Sequence, residues 1–176
     1  EYDTLFGTKS RGLIDLTDNT QTLFSGLDIN YNFNSKWSLF ASGYIGSTSI
    51  DTAPTSTFTG SSDIITDSYT LALTKKEIFG DDSLTLSLSQ PLRVIDGSIN
   101  GVSLAVNPLT GDVSTANFSQ SLVPSGRTLR AQLAYEKEFN KKTDVFITGS
   151  AEEQPLHSRS EDNIYTILGK IKKKLN

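Results

Sequence analysis

Between Asp82 and Val94 apolar and polar side chains alternate. Leu84, Leu86, Leu88, Leu92 and Val94 stand at every second position, broken only by Gln90, and Ser83, Thr85, Ser87, Ser89, Pro91 and Arg93 lie between them. A strand turns successive side chains to opposite faces, so this stretch predicts a β-strand with one apolar and one polar side. The same period recurs. From Gln21 to Phe33 it sets Leu23, Leu27, Ile29, Tyr31 and Phe33 against Thr22, Asp28, Asn30 and Asn32. Trp37, Leu39, Ala41, Gly43 and Ile45 share a face between Lys36 and Ser49, as do Tyr69, Leu71 and Leu73 between Thr66 and Ile78. Arg127 to Phe139 alternates Leu129, Ala131, Leu133, Tyr135 and Phe139 with Thr128, Arg130, Gln132, Glu136 and Glu138. Val145, Ile147, Gly149 and Ala151 mark a further strand, and Tyr165, Ile167, Gly169, Ile171 and Leu175 a last one over 164–175. Weaker strands are expected over 99–107 and 113–121, and a first one over Tyr2–Leu16, where Gly7, Lys9, Arg11 and Gly12 interrupt the pattern. Residues 50–65, rich in Ser, Thr, Asp and Gly, have no period and read as a long polar loop.

This gives about ten sequential strands, each roughly 9–13 residues long, where soluble strands average ~5–6 and a tilted strand crossing hydrocarbon needs ~9–11. Tight connections (34–35, 80–81, 108–112, 140–142) alternate with looser ones (17–20, 50–65, 95–98, 122–126, 152–163). In a meander alternate connections share an end, and outer-membrane barrels have short turns at one end and long loops at the other. Tyr31, Phe33, Trp37, Phe79, Tyr135, Phe139 and Phe146 all fall near the tight turns, where a girdle at a membrane interface is expected. Pro91 cannot donate to a ladder and is expected at a bulge or at the rim. The fold expected is all-β: an antiparallel up-and-down meander closed into a barrel of about 8–10 strands, as a single domain over 1–176. A soluble β-sandwich or soluble barrel, with large residues capping one end of its core, is the alternative.

Composition narrows the setting. Hydrophobic residues make up 36% of the 176, mean hydropathy is -0.26, and no run approaches the ~18 apolar residues of a spanning helix. A net charge of -4 without a basic stripe argues against nucleic acid as a partner. The absence of cysteine suits an envelope or extracellular address. The chain has no methionine and begins at Glu1, so it is expected to be a processed piece of a longer precursor.

Candidate chemistry is sparse, and no catalytic, cofactor-binding or metal-binding residue is assigned. His157 is the one histidine; with no Gly-x-Ser-x-Gly elbow it is expected to be a solvated loop residue. Asp96-Gly-Ser-Ile-Asn-Gly101 starts like a calcium loop, but Asn107 stands where a bidentate Glu is needed, so turn chemistry is the better reading. Asn117-Phe118-Ser119 matches a glycosylation sequon. Lys170, Lys172, Lys173 and Lys174 suit anionic headgroups, a hydrated lumen or a solvated terminal strand. Arg93, Arg127 and Arg130, if they face a narrow lumen, are expected to pair with Asp28, Glu136 or Glu138.

Two stretches carry a family likeness: Asp82-Ser-Leu-Thr-Leu-Ser-Leu-Ser-Gln-Pro-Leu-Arg-Val94 followed by Asp96-Gly97-Ser98, and Leu122-Val-Pro-Ser-Gly-Arg127 leading into Leu133-Ala134-Tyr135. They resemble the C-terminal region of subtilisin-like serine peptidases of Gram-negative bacteria, autotransporter-like proteins in which a peptidase domain precedes a β-rich tail. The resemblance covers about residues 21–156. It implies that this piece is the non-catalytic tail, since none of the family's catalytic Asp, His and Ser motifs occurs here. The partners it implies are the outer-membrane bilayer and an N-terminal passenger peptidase, with oligomers possible and an address at the outer membrane or cell surface. A soluble accessory domain, extracellular and partner-binding, or a structural subunit of a surface assembly is the alternative function.

Overall fold

The computed structural model describes residues 19–52, 56–140 and 143–173. They form ten strands: β1 Asn19–Asn32, β2 Trp37–Asp51, β3 Phe58–Ser61, β4 Ile64–Lys76, β5 Asp82–Asp96, β6 Ser98–Val106, β7 Val113–Ser121, β8 Leu129–Asn140, β9 Thr143–Glu153 and β10 Ile164–Lys173. A short 3-10 turn, Pro155–His157, lies between β9 and β10. The protein is therefore all-β among the described residues, and the alternating stretches become strands where the pattern expects them. The strand expected over 2–16, and the end of the last one, lie outside the described residues.

Turn chemistry fixes the strand ends. Asn34 accepts the N–H groups of Lys36 at 2.9 Å and Trp37 at 3.0 Å, folding β1 back onto β2 as its short amide side chain suits it to do. Between β4 and β5, Gly80 has φ +122° and the Asp82 carboxylate accepts the N–H groups of Ile78 and Phe79. Between β6 and β7, Asn107 accepts Leu109 N–H and Gly111 has φ +74°.

Seven strands form one sheet in the order β1-β2-β4-β5-β8-β9-β10, and three form another in the order β3-β6-β7. The ladders β5–β8, β8–β9, β9–β10, β3–β6 and β6–β7 are antiparallel. This corrects the expected single meander in two places. The first is the stretch 50–65, which contains β3: four residues are too few to show a period, and Phe58 is held by Phe118 on β7, 6.2 Å between ring centroids and edge to face. The second is that β5 pairs with β8, from Asp82↔Lys137 to Ser89↔Arg130, while β6 and β7 pair with each other in the smaller sheet. Gly97 has φ +146°, a region that favours glycine, and it turns the chain out of β5 into β6. Turn 108–112 thus closes a hairpin of the smaller sheet and joins no neighbours of the larger one. Pro91 lies past Ser89, the last residue of β5 in the ladder with β8, so its missing N–H breaks no bond there.

The described residues within 19–25, 45–66 and 94–123 form one compact unit, and those within 26–44, 67–93 and 124–173 a second. In the first, Ile50 and Ile64 are buried, as are Thr48 and Thr66. Thr22 and Thr48 hydroxyls are 3.0 Å apart, and Thr66 donates to Gly46 O at 3.5 Å. Backbone bonds from Val102 to Thr57 and from Ser62 to Ser98 tie β3 and its flanks to β6. In the second unit the buried side chains are Asp82, Gln90, Thr128 and Pro155, and no described Ala, Val, Leu, Ile, Phe, Tyr or Trp is buried.

Candidate functional surface

The register of β5, β8, β9 and β10 sorts the second unit into two faces. One row runs Leu84, Tyr135, Ile147, Gly169; the next Leu86, Leu133, Gly149, Ile167; the next Leu88, Ala131, Ala151, Tyr165. Directly opposed residues on neighbouring strands share a face, so these rows make one continuous apolar surface. β4 adds Leu71 and Leu73. This surface is exposed: Leu86 56%, Leu88 42%, Leu133 48%, Ile147 49% and Ile167 86%.

The other face carries Ser87, Gln132, Ser150 and Thr166 in one row, and Ser83, Glu136, Phe146 and Lys170 in another. Ser83, Thr85, Ser87, Ser89, Thr148 and Ser150 are only half-exposed. Thr74 and Thr85 hydroxyls bond across this side at 2.9 Å. Glu138, Asp144 and Lys172 extend it toward the end of β8 and the start of β9. Along β5 and the middle of β8 and β9 the usual burial is thus inverted: Ser87, Ser89, Gln132, Thr148 and Ser150 are half-buried, whereas Leu86, Leu88, Leu133 and Ile147 are exposed.

Gln90, the one break in the leucine series, is 1% exposed and donates through Nε2 to Asp67 Oδ1 at 2.7 Å. At the tight-turn end Tyr31, Phe33, Phe79 and Phe139 are exposed. Tyr31 and Phe33 meet edge to face, and the ammonium groups of Lys75 and Lys137 stand 5.3 and 5.4 Å from the ring centroids of Trp37 and Phe139. Lys36 and Glu77 form an exposed ion pair at 2.9 Å at this end. Phe146 departs from the expected girdle: its cross-strand partners are Glu136 and Lys170, so it lies on the polar face, where strand parity puts every even residue of β9.

The turn residue Asp82 gathers several donors. Burial works to raise its carboxyl, but Phe79 N–H, the Tyr135 hydroxyl at 2.8 Å, Ile78 N–H and the Lys137 charge outweigh it and hold it below the usual carboxylate range.

The arginine pairings expected from the sequence are corrected. Arg130 binds Glu152 on β9 through Nη2 at 2.6 Å and Nε at 2.8 Å, the residue directly opposite it. Arg93 Nε donates to Gly126 O at 3.0 Å, and Asp28 accepts the Tyr44 hydroxyl at 2.6 Å. Arg127 donates its backbone N–H to Gln154 Oε1. His157 is also corrected: it is no solvated loop residue but half-buried, with both ring nitrogens bonded, Nδ1 to Thr128 N–H at 2.9 Å and Nε2 to Leu92 O at 3.0 Å. No signal short of the fold brings residues 92, 128 and 157 together. Asp96 accepts Gly97 N–H and Ser98–Gly101 run on as strand, which is the turn reading of that motif. Asn117 lies exposed in β7 opposite Val102. Lys170 and Lys172 share the polar face, and Lys173 turns to the other. No cluster of three or more His, Asp or Glu suited to a metal occurs among the described residues, and no described helix is long and apolar enough to cross a membrane.

No protein-family model matches the chain, and neither a curated protein nor a solved structure is significantly similar to it.

Proposed function

We propose that this chain is an outer-membrane β-barrel that anchors and helps translocate an N-terminal passenger peptidase at the cell surface, without being the catalyst. The observation that carries the reading is the inverted burial along β5 and the middle of β8 and β9, with Leu86, Leu88, Leu133 and Ile147 exposed and Ser87, Ser89, Thr148 and Ser150 half-buried. Each Å² of apolar surface left in water forfeits about 25 cal/mol, whereas acyl chains impose no such loss.

Dimensions support it. Leu84 to Leu92 is eight steps, about 27 Å along the strand and about 20 Å of depth at a ~40° tilt, close to the ~25 Å apolar band of such barrels. The exposed aromatics with lysines over their rings suit the interface beyond that band. The passenger rests on the resemblance of residues 82–98 and 122–135 to the tails of Gram-negative subtilisin-like peptidases.

Refolding the chain with and without detergent tests the reading. The expected result is a folded species only in detergent, migrating faster on a gel before boiling than after. A monodisperse folded particle in plain buffer overturns it. That second result would favour a partner-binding β-rich domain or a subunit of a surface assembly, for which β7 offers an exposed edge, Val113–Ser121, that carries no charge.

A further inference from the structure

The geometry points to a pH-sensitive latch at His157: the neutral imidazole fastens the connections 124–128 and 154–159 to the end of β5, and protonation releases them. This goes beyond the anchoring role and holds whether or not the sheet meets lipid. Thr128 N–H donates to Nδ1 at 2.9 Å, so Nδ1 must present a lone pair; the ring proton is then on Nε2, aimed at Leu92 O at 3.0 Å. A proton added to Nδ1 would face the Thr128 N–H donor directly. Thr128 is 1% exposed, so its N–H has no water to turn to.

The remaining bonds make this contact the keystone of the cluster. Thr128 Oγ1 donates to Gln154 O at 2.7 Å and accepts His157 N–H at 2.8 Å, and Gly126 N–H donates to His157 O at 2.7 Å. Gln154 Oε1 accepts Arg127 N–H, and Ser125 Oγ accepts Arg159 N–H at 3.2 Å. Gln154, Leu156 and His157 have φ of 50°, 57° and 56°, in the left-handed region that non-glycine residues rarely adopt. Such strain persists only where surrounding bonds over-determine it, so loss of the ring contact removes one of the bonds that hold these three residues there. Leu156 is 84% exposed and supplies no packing to compensate.

The segments around the ring carry charges of both signs, with Glu161 and Asp162 exposed further along the connection to β10. Arg93, Arg127 and Arg159 are cationic, Glu152 is paired with Arg130 at 2.6 Å, and Glu153 is exposed. Imidazole is the side chain whose charge ordinarily changes between about pH 5 and 8, which sets the range to examine.

Amide hydrogen exchange on the full chain, corrected for the intrinsic pH dependence of exchange, tests the latch between pH 8 and pH 5. Protection of Gly126, Thr128 and His157 amides is expected to fall by tenfold or more at the lower pH, while Leu133 in the β8 and β9 ladder stays protected. His157→Gln offers one acceptor and one donor and does not titrate, so its protection at those amides is expected to be the same at both pH values. Ring ¹⁵N shifts of the native chain provide a readout free of substitutions: at pH 8 Nδ1 is expected at the unprotonated position and Nε2 at the protonated one. Unchanged native protection across the range, the reverse tautomer, or a His157→Gln chain that loosens as the native one does would each overturn the latch.

Discussion

Leu86 and Ser87 are adjacent in the chain and sit in opposite surroundings, the leucine 56% exposed and the serine half-covered. In a water-facing sheet an arginine at position 86 would cost next to nothing, because the site is already open. Against hydrocarbon it would cost about 2–4 kcal/mol near mid-depth. Leu86→Arg is therefore expected to lower the detergent-folded fraction sharply, and Ser87→Arg to leave it nearly intact; equal tolerance of both, scored by the heat-modifiable band, would remove lipid from the argument. Asp82 gives a residue-level pH prediction. Its folded carboxyl titrates below the usual range, so its stabilisation is complete above the unfolded value of about 3.9 and is lost as pH falls through the lower folded one. The melting temperature of Asp82→Asn is expected to lie below that of the native chain at pH 6, with the gap closing below about pH 4. A gap that stays constant to pH 2 would show that the charge of Asp82 contributes nothing to the turn.

At the scale of elements, the long strands were legible because each repeats a period of two over enough residues to show it, and Asn34, Gly80 and Gly111 mark their turns. What periodicity does not encode is which strand each one pairs with. The weaker alternation of β6 and β7 names no partner, and at Gly97 the backbone turns the chain out of β5 toward another sheet. β3 was hidden by its length, and Phe146 by being large, near a turn, and of the wrong parity for the apolar side. The apolar surface itself was legible in full, residue by residue from Leu84 to Tyr165. The His157 cluster was not, because it joins residues 65 and 29 positions apart through backbone atoms, which side-chain pattern does not report. One element-scale consequence follows for Gly126, where an added Cβ would lie 2.5 Å from Gln154 Oε1 and 3.0 Å from Arg159 N. Gly126→Ala is expected to speed amide exchange at Thr128 at every pH, unlike the pH-dependent loosening of the native chain; native-like protection at pH 8 would show that the loops are not packed against each other as tightly as these contacts require.

At the scale of the whole molecule the larger sheet ends in β1 and β10, and β10 is exposed on both of its sides along its full length. An edge ten residues long, carrying Tyr165, Ile167, Leu168 and Ile171, cannot stay unpaired in hydrocarbon, where each unmet N–H or C=O costs several kcal/mol. A membrane reading therefore requires that β10 be paired. The chain contains no cysteine, so disulfide trapping has no background. A cysteine at Ile167 combined with single cysteines scanned over 26–32 of β1, the other edge strand of this sheet, is expected to cross-link at a few positions with a spacing of two, since only alternate residues face the same side. Cross-links must form within one chain in detergent at low protein concentration. If Ile167→Cys links only between chains, the edge is an assembly surface, and the anchoring function gives way to the structural one.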